Sequence, residues 1–515
     1  MSKGNRSQIK SGAILSYLNI GLGNLIPIFY TPIMLALLGQ SEYGLYKIAA
    51  SASSYLSLMT LGISGAVSRF MIKARTEGGH PAEERIFALF QRLFNVIALL
   101  TCIVGAVIVF NLDVFYSASL TTAELQRMQI LVALMVANMA VGFSATAYTS
   151  AITTHERFIF IQCTNILSTV IAPLLNLVVL WLGSGSIGMT TASLGINVLI
   201  RFLHLVYVRK ALHLTPKYDN LPKHQLKDIF QFSLWIFVAS IAGQLYNSTD
   251  TVIIGAIPAL ATVGAAVYSV GITFPNILFS LAQVTPTLFS PKATKMVFSG
   301  ANDEELTDLV IRVGRLQGFV VILFCSGFIA FGQPFLHWYV GPEYWEAYWV
   351  AAIILVPNCI PLMQSAANSI MQSKNMHRFR AILYLCIAAV NVIATWFLVQ
   401  SYGIIGAAIP TGAAFFLGHG LTLNMYYWKK VKLDIPRFWR RMLPIIVTGF
   451  SMCVATLLLG QVINFYNLST LILGICSYTV IYVAMLWFFV LLPEEKAVFS
   501  SPIKSISQKI RHQKG

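Results

Sequence analysis

Apolar runs long enough to cross a bilayer recur along almost the whole chain, and no other feature restricts its fold as strongly. A spanning helix needs roughly 20 mostly apolar residues, because the bilayer core is about 30 Å thick and satisfies no exposed backbone group. Only 10% of the 515 residues are charged, whereas a soluble domain has about a quarter, which excludes a soluble enzyme. About fourteen runs meet the requirement: Ser11–Leu38, Leu45–Ile72, Ile86–Phe110, Met128–Ala151, Phe158–Trp181, Ile187–Val208, Ile229–Ile257, Val263–Leu288, Val313–Trp338, Tyr348–Met371, Ala381–Val399, Ile404–Trp428, Leu443–Val462 and Leu468–Leu492. The chain is therefore predicted to be an all-α polytopic membrane protein with about 14 transmembrane helices.

The basic residues lie in every second connection between runs, as in proteins that keep Lys and Arg on the cytoplasmic side. With the N-terminus placed inside, 33 of the 35 Lys and Arg residues fall in inner connections or at inner helix ends. Only Lys47 and Arg127 fall on the outer side. The net charge of +16 therefore reflects membrane topology, and no nucleic-acid partner is needed to explain it. The pattern predicts a multi-pass protein with both termini in the cytoplasm.

No connection between runs is long enough to form a soluble catalytic domain. The two longest inner connections, residues 209–228 and 289–312, have about 20 residues each. The chain contains no phosphate-binding loop of the Walker A type and no HExxH zinc motif, and its seven cysteines fall one per run. We therefore expect no enzymatic activity, no cofactor and no metal site.

The basic connection after the sixth run divides the chain into groups of six, six and two runs. The predicted parts are an N-lobe of helices 1–6 (residues 1–210), a cytoplasmic linker loop (211–228), a C-lobe of helices 7–12 (229–430), and helices 13–14 with a basic cytoplasmic tail (431–515). Because six is an even number, the two six-helix lobes would form a parallel repeat about a pseudo-two-fold axis along the membrane normal.

Polar side chains follow one face of runs one, two, seven and eight, at corresponding places in the two predicted lobes. Exposure of such groups to lipid is costly, so they normally face protein or a water-filled cavity. The stripes predict a hydrated cavity shared by the lobes, and the alternative is close helix packing through small polar residues. The candidate amides are Asn19 and Asn24 in run one, Gln244 and Asn247 in run seven, and Asn276 and Gln283 in run eight.

Asp250 is the only carboxylate well inside a predicted span. One interpretation is a site for a coupling ion, H⁺ or Na⁺, or a gate, in which Gln244, Asn247 and Lys47 take part. The other is a structural carboxylate that is satisfied by Asn247 and the neighbouring helices. An ionisable residue inside the membrane favours a functional role by default.

Two arginines lie in the cytoplasmic halves of predicted spans. Arg201 lies well inside run six, and Arg69 closes run two on its inner side. Both side chains could simply reach the inner headgroups. The alternative is an inward-facing cationic pocket for a phosphate-bearing headgroup, because a guanidinium group matches the geometry of phosphate oxygens.

Three short passages carry a resemblance to a known transporter family. They read LLGQSEYGLY at 37–46, LGISGAVSRF at 61–70, and NSTDTVIIG at 247–255 followed by VGAAVYS at 263–269. They are similar to the Wzx-type polysaccharide flippases of the multidrug/oligosaccharidyl-lipid/polysaccharide exporter superfamily. By position, Asn247 and Asp250 match the family's Asn-x-x-Asp in helix seven, and Arg69 matches its basic residue at the end of helix two. The six-plus-six-plus-two layout extends the resemblance over nearly the whole chain.

The resemblance implies a bacterial inner-membrane protein with two lobes around a central cavity. It implies translocation of a polyprenyl-pyrophosphate-linked oligosaccharide from the cytoplasmic to the outer leaflet by alternating access, driven by membrane potential or a cation gradient. The substrate headgroup would be bound by Arg69, Arg201 and the candidate amides of runs one and eight. The implied partners are the lipid-linked glycan, membrane lipids and the polysaccharide polymerase machinery.

Two other functions remain as alternatives. A drug/cation antiporter of the same superfamily would be expected to hold several cavity carboxylates, and here Asp250 alone qualifies. A non-transporting membrane scaffold for glycan polymerisation would need no alternating access. A lipid II substrate is not expected, because run one lacks the arginine cluster of the lipid II flippases.

Overall fold

The computed structural model describes residues 3–219, 221–222, 225–374 and 376–496, and all regular structure among them is helical. The α-helices are α1 (Lys3–Leu38), α2 (Gln40–Ser54), α3 (Ser64–Phe110), α4 (Leu112–Tyr116), α5 (Thr122–Thr154), α6 (Phe158–Trp181), α7 (Gly185–Ala211), α8 (Leu226–Ala256), α9 (Ala261–Ala282), α10 (Val284–Phe298), α11 (Asp303–Tyr339), α12 (Trp345–Met363), α13 (Ser365–Ser373), α14 (His377–Phe415), α15 (Asn424–Lys429), α16 (Ile435–Leu459) and α17 (Leu468–Met485). Two π-helical segments, Phe416–Leu423 and Leu486–Val490, continue α14 and α17. The predicted basic tail beyond residue 496 lies outside the described residues.

Twelve helical stretches of the described chain are long and apolar enough to cross a membrane. Two of them, Gln40–Phe110 with 71 residues and Arg378–Lys429 with 52 residues, have the length of two crossings, since one crossing takes roughly 20 residues. The backbone leaves helical geometry inside these stretches at Gly79 (φ 68°) and Gly403 (φ 59°). Counting each as two crossings gives the fourteen predicted spans, so the all-α polytopic fold is confirmed.

Packing divides the chain into two compact units. The first contains Met1–Val270 and Ala381–Pro410, and the second contains Gly271–Arg380 and Thr411–Gly515. In the first unit, α3 packs along α5 and buries a cluster of aromatic side chains. In the second, α11 packs against α12 and α16. Large apolar side chains such as Phe29 and Trp181 remain exposed in the first unit, as expected of a surface covered by lipid.

Helix α11 begins further toward the N-terminus than its apolar run. Asn302 accepts a hydrogen bond from the backbone N–H of Glu305 and receives the Glu305 side chain on its own N–H, which is a complete capping box. Such a cap satisfies two of the free N–H groups at a helix start. The connection predicted at residues 289–312 is therefore largely helical, because α10 extends to Phe298 and α11 starts at Asp303.

The second span is broken near its middle. Helix α2 ends at Ser54, a 3₁₀ helix follows at Tyr55–Thr60, and α3 starts at Ser64. Between them, Leu61 and Gly62 have positive φ values of 49° and 71°. A Cβ atom on Gly62 would lie 2.6 Å from the backbone oxygen of Ser233, so a larger residue would force the two chain segments apart. Non-helical backbone at membrane depth is tolerated only where protein or a cavity surrounds it.

Two buried glutamates follow the Gly79 kink at the predicted inner end of the first unit. Oε1 of Glu83 lies 2.9 Å from Nε2 of His155. Glu84 is paired with Lys217, with 2.6 Å between Oε2 and Nζ, and accepts a hydrogen bond from Thr215. Burial favours a higher pKa for the Glu84 carboxyl, but the Lys217 and Thr215 contacts outweigh it and hold the pKa below its ordinary value. These contacts tie three predicted inner connections together.

Candidate functional site

Within the first unit, span two pairs antiparallel with span seven, which is α8. The contacts progress from Ile48 with Gly255, through Ser54 with Ser248, to Arg69 with Phe232. A Cβ atom on Gly255 would lie 2.6 Å from Cδ1 of Ile48, so the absence of a side chain permits this approach. We call these paired helices the two–seven pair.

Hydroxyl and amide groups connect the middle of the two–seven pair. The Ser54 and Ser248 hydroxyl oxygens are 2.9 Å apart, and Nε2 of Gln244 donates to the Ser248 hydroxyl at 2.8 Å. Tyr55 and Thr249 share a hydroxyl–hydroxyl hydrogen bond. These hydrogen bonds join α2 and the 3₁₀ segment after it to α8 through part of the polar stripe on span seven, and Gln244 takes part in them.

Asp250 follows these hydrogen-bonded residues on α8 and is 4% exposed. Its carboxylate accepts a hydrogen bond from the Tyr268 hydroxyl on α9. Its other oxygen lies 3.2 Å from the hydroxyl of Thr395 on α14, and that hydroxyl is also 3.1 Å from Oδ1 of Asn391. Asp250, Asn391 and Thr395 thus place carboxylate, amide and hydroxyl oxygens together in the interior of the unit.

Two residues predicted to act with Asp250 have other surroundings. The exposed Asn247 amide donates to the backbone oxygen of Gly243 at 2.8 Å. The Lys47 ammonium lies over the Tyr43 ring, 5.2 Å from its centroid, and has no ion-pair partner among the described residues. Neither residue makes a described contact with Asp250. Sequence reasoning did not select Asn391 and Thr395, and their spacing of four residues in span eleven is the one signal that could have found them.

Arg201 on α7 lies beside a buried histidine. Both ring nitrogens of His204 are hydrogen-bonded to threonines, Nδ1 to Thr149 at 3.1 Å and Nε2 to Thr164 at 3.0 Å. Nη1 of Arg201 donates to the same Thr149 hydroxyl at 3.3 Å. The buried Nε of Arg201 has no hydrogen-bond partner, and no carboxylate within the described part of the chain pairs with this guanidinium. The group is therefore a cation in a span with unused donor capacity.

Arg69 lies elsewhere, at the predicted inner end of the two–seven pair. Its guanidinium lies over the Phe232 ring, with 4.8 Å between the central carbon and the ring centroid. It borders a cavity of about 400 Å³ that is lined by Arg69, Phe70, Lys73, Asp228, Gln231 and Phe232. The described contacts of Arg69 and Arg201 share no residue, so the structure gives these predicted headgroup residues separate surroundings.

The four candidate asparagine and glutamine residues of spans one and eight are spread over both units. In the first unit, Asn19 accepts a hydrogen bond from Thr169 at 3.0 Å, and Asn24 donates to the backbone oxygen of Ile20 at 2.7 Å. In the second unit, Asn276 and Gln283 are exposed. Asn19 therefore joins α1 to α6, whereas Asn24 bonds within its own helix.

The second unit contains a buried ion pair between Arg315 and Glu495. Arg315 lies inside α11 and is 3% exposed. Its Nε and Nη2 donate to the two carboxylate oxygens of Glu495 at 2.6 and 2.9 Å. Its terminal nitrogens also donate to the backbone oxygens of Arg441 and Val490, each at 2.8 Å. The pair joins α11, α16 and the end of α17.

Comparison of sequences places the chain beside proteins of glycan assembly. The family model described as "Polysaccharide biosynthesis protein" matches residues 9–290. The "Uncharacterized membrane protein EpsK" of Bacillus subtilis is 22% identical over 382 residues, which are 72% of each chain. The "Probable low-salt glycan biosynthesis flippase Agl15" of Haloferax volcanii is 25% identical over 240 residues, covering 46% of this chain and 50% of that protein.

Comparison of structures identifies the fold. The structure titled "Lipid II flippase MurJ, inward closed conformation" has a TM-score of 0.67 at 14% identity, covering 96% of this chain and 99% of that one. A structure of the MATE multidrug transporter DinF-BH has a TM-score of 0.57 at 16% identity, covering 84% of this chain and 96% of that one. At these identities the likeness concerns the helical fold alone.

Proposed function

Because the chain belongs to the polysaccharide biosynthesis protein family, whose model matches more than half of it, we propose that it is a flippase for a lipid-linked oligosaccharide. The family and the fold are those of membrane transporters rather than enzymes. We further propose that the substrate is linked through polyprenyl pyrophosphate and moves from the cytoplasmic to the outer leaflet of a bacterial membrane by alternating access. One relative is named as a probable glycan biosynthesis flippase, which supports this substrate class.

The structural observation that best supports the proposal is the unpaired guanidinium of Arg201. A guanidinium within a span is costly unless it is paired, and such residues mark substrate or ion pathways. Arg201 has no carboxylate partner among the described residues, and its buried Nε has no hydrogen-bond partner. A pyrophosphate group would supply the missing charge and acceptors, and its geometry matches the guanidinium fork.

Asp250 is proposed to couple transport to H⁺ or Na⁺. Its carboxylate is buried and accepts hydrogen bonds from the hydroxyls of Tyr268 and Thr395, and the side-chain oxygen of Asn391 lies beside the Thr395 hydroxyl. Protonation or a bound cation would remove the cost of a buried charge. The membrane potential would contribute further, because a headgroup with about two negative charges leaving an inside-negative cell gains roughly 4–5 kcal/mol per 100 mV.

The test uses the purified protein in proteoliposomes that contain a fluorescent polyprenyl-pyrophosphate-linked oligosaccharide. Label that reaches the opposite leaflet becomes accessible to a membrane-impermeant quencher. We expect quenching that depends on the protein, that accelerates with the potential, and that accelerates with an imposed H⁺ or Na⁺ gradient. Asp250→Asn should remove the response to the ion gradient, because the amide neither titrates nor carries a charge. Asp113→Asn, at an exposed carboxylate of the first unit, is the matched control.

Two results would contradict the proposal. The first is label movement no faster than in protein-free vesicles at every potential. The second is transport of a cationic dye without movement of the glycan, which would favour a drug/cation antiporter. An unchanged ion response in Asp250→Asn would remove the coupling role of Asp250 and leave flipping itself intact.

A further inference from the structure

We propose that His204 is a positioning residue that acts through Thr149 to hold the Arg201 guanidinium in place for the anionic headgroup of the substrate. This role rests on the proposed flippase function and concerns how Arg201 is oriented. Thr149 lies on α5, Thr164 lies on α6, and both Arg201 and His204 lie on α7. All three helices belong to the first unit, so the support of this cation is built within one unit.

His204 is enclosed by these helices and is 1% exposed. The Phe160 ring lies 5.9 Å from the His204 ring and stacks on Tyr207, with 3.8 Å between the centroids of the stacked rings. Each ring nitrogen of His204 has one hydroxyl partner, Thr149 at Nδ1 and Thr164 at Nε2. The imidazole has no other polar partner in the described part of the chain. Its orientation is therefore set by the two hydroxyls.

The number of available protons fixes the direction of the hydrogen bonds at Thr149. A guanidinium only donates, so the Thr149 oxygen accepts from Nη1 of Arg201 at 3.3 Å. The single Thr149 proton then has two acceptors within reach, Nδ1 of His204 at 3.1 Å and the backbone oxygen of Ala145 at 3.3 Å. The shorter distance favours Nδ1. An unprotonated nitrogen on the side of the Arg201 cation is also preferred, because an N–H group there would be repelled.

The same reasoning at the other ring nitrogen gives a consistent result. A neutral imidazole with an unprotonated Nδ1 carries its proton on Nε2, so Nε2 donates to the Thr164 oxygen at 3.0 Å. The Thr164 proton then goes to the backbone oxygen of Ile161 at 2.9 Å. All four hydrogen bonds thus run in one direction from Arg201 to this carbonyl, and bonds in such a series strengthen one another. We call Thr149, His204 and Thr164 the threonine–histidine chain.

The threonine–histidine chain holds one end of the guanidinium and leaves another edge free. Thr149 occupies Nη1 of Arg201, whereas Nε and Nη2, whose N–H bonds are parallel, have no hydrogen-bond partner among the described residues. A phosphate group engages two such donors together. In Arg315 the same two nitrogens donate to the two carboxylate oxygens of Glu495. An oxyanion of the substrate would complete the same arrangement at Arg201.

The experiment measures flipping of the fluorescent lipid-linked oligosaccharide at graded concentrations in proteoliposomes. Thr149→Val and His204→Leu should each raise the half-saturating concentration about threefold to tenfold, because each removes about one hydrogen bond that orients Arg201. The maximal rate should stay close to that of the wild type. Thr149→Ser keeps the hydroxyl, and His204→Asn places an amide oxygen near the position of Nδ1, so both should restore the wild-type value.

The matched control is Thr146→Val on the same helix. The Thr146 hydroxyl donates to the backbone oxygen of Gly142 in its own helix at 3.1 Å, so its removal should leave the half-saturating concentration unchanged. A general effect of replacing a threonine of α5 by valine would appear equally in Thr146→Val and Thr149→Val. Thermal unfolding in detergent checks that every variant is folded.

A double-mutant cycle separates positioning from an independent role in the fold. In Arg201→Met the group to be oriented is absent, so Arg201→Met/Thr149→Val should match Arg201→Met within about twofold in half-saturating concentration. If the two effects multiply instead, Thr149 acts independently of Arg201 and the inference is overturned. Unchanged half-saturation in Thr149→Val and His204→Leu overturns it as well.

The protonation of the ring is measured directly by solid-state NMR on wild-type protein labelled with ¹⁵N at Nδ1 of its nine histidines. His204→Asn identifies the His204 resonance by its loss. We expect the signal of an unprotonated Nδ1, since Thr149 donates to this nitrogen. A protonated Nδ1 at His204 would overturn the direction of the threonine–histidine chain.

Failure of the inference differs from failure of the proposed function, because the same variants are also titrated with the fluorescent substrate in detergent. Wild-type protein that moves no label but binds the substrate, with affinity lowered in Thr149→Val and restored in Thr149→Ser, contradicts flipping and leaves the positioning role in place. Wild-type protein that flips the glycan, with Thr149→Val and His204→Leu equal to it in binding and flipping, contradicts the positioning role and leaves flipping in place.

Discussion

Arg201 in the first unit and Arg315 in the second are both arginines within membrane-spanning helices, yet their surroundings differ. Arg315 uses four of its five N–H groups, two on Glu495 and two on backbone oxygens of other helices. Arg201 makes one hydrogen bond, to Thr149, and keeps a buried Nε without a partner. A guanidinium whose donors are satisfied has no capacity left for a ligand, so Arg315 is structural. The unpartnered Nε of Arg201 is the reason why we propose that this guanidinium binds the substrate.

Replacing Arg315 by Met should have the largest effect. It leaves the Glu495 carboxylate buried without its counter-charge, which costs about 3–5 kcal/mol of unfolding free energy. Arg315→Met/Glu495→Met should recover most of this loss, because no unpaired charge remains. Thermal and denaturant unfolding in detergent measure both. A double variant that is as unstable as the single one would show that Arg315 acts through packing rather than through its charge.

Replacing Arg201 by Met should have a smaller effect, and on transport instead of stability. The half-saturating concentration of the lipid-linked substrate should rise about tenfold, corresponding to roughly 1.4 kcal/mol of lost binding, while the unfolding midpoint stays close to that of the wild type. Flipping at graded substrate concentrations measures this. Arg92→Met, at an exposed arginine of α3, is the control. A loss of stability equal to that of Arg315→Met would abolish the contrast between the two arginines.

Replacing Glu84 by Gln should have the smallest effect. Its partner Lys217 is 53% exposed, and pairs open to water contribute about 0–1 kcal/mol. Because the native contacts lower the pKa of Glu84, their stabilisation is complete above the ordinary carboxyl pKa and is lost as the pH falls through the lowered value. The difference in unfolding midpoint between wild type and Glu84→Gln should therefore be present at pH 7 and shrink in acid. A difference that is independent of pH would exclude the ion pair as its cause.

Much of the fold was predictable from the sequence because the bilayer imposes a length and a charge rule on every span. Apolar runs and alternating basic connections predicted the helical class and the number of crossings. The break in span two was not predictable, since Leu61 and Gly62 lie inside an apolar run. At the break, Gly62 packs against the backbone of Ser233 on another helix, and no local pattern in the sequence indicates that contact.

The candidate site was less predictable, for a similar reason. Asp250 stood out as a lone carboxylate, whereas Asn391 and Thr395 lie more than 140 positions away and resemble ordinary polar residues of a span. Arg315 lies near the start of the run Val313–Trp338, where a basic residue resembles the many others that mark inner helix ends. Its partner Glu495 is 180 positions distant, and no local pattern joins them.

The Arg315–Glu495 pair also limits where the chain can be truncated. Glu495 follows the last span and accepts hydrogen bonds from Arg315 and from the backbone N–H of Leu492. A reporter or affinity tag joined after Lys496 keeps this carboxylate in place. A truncation that removes Glu495 would take away the counter-charge of a guanidinium deep in the second unit. A cloning boundary only a few residues too early would therefore destabilise helices far from the cut.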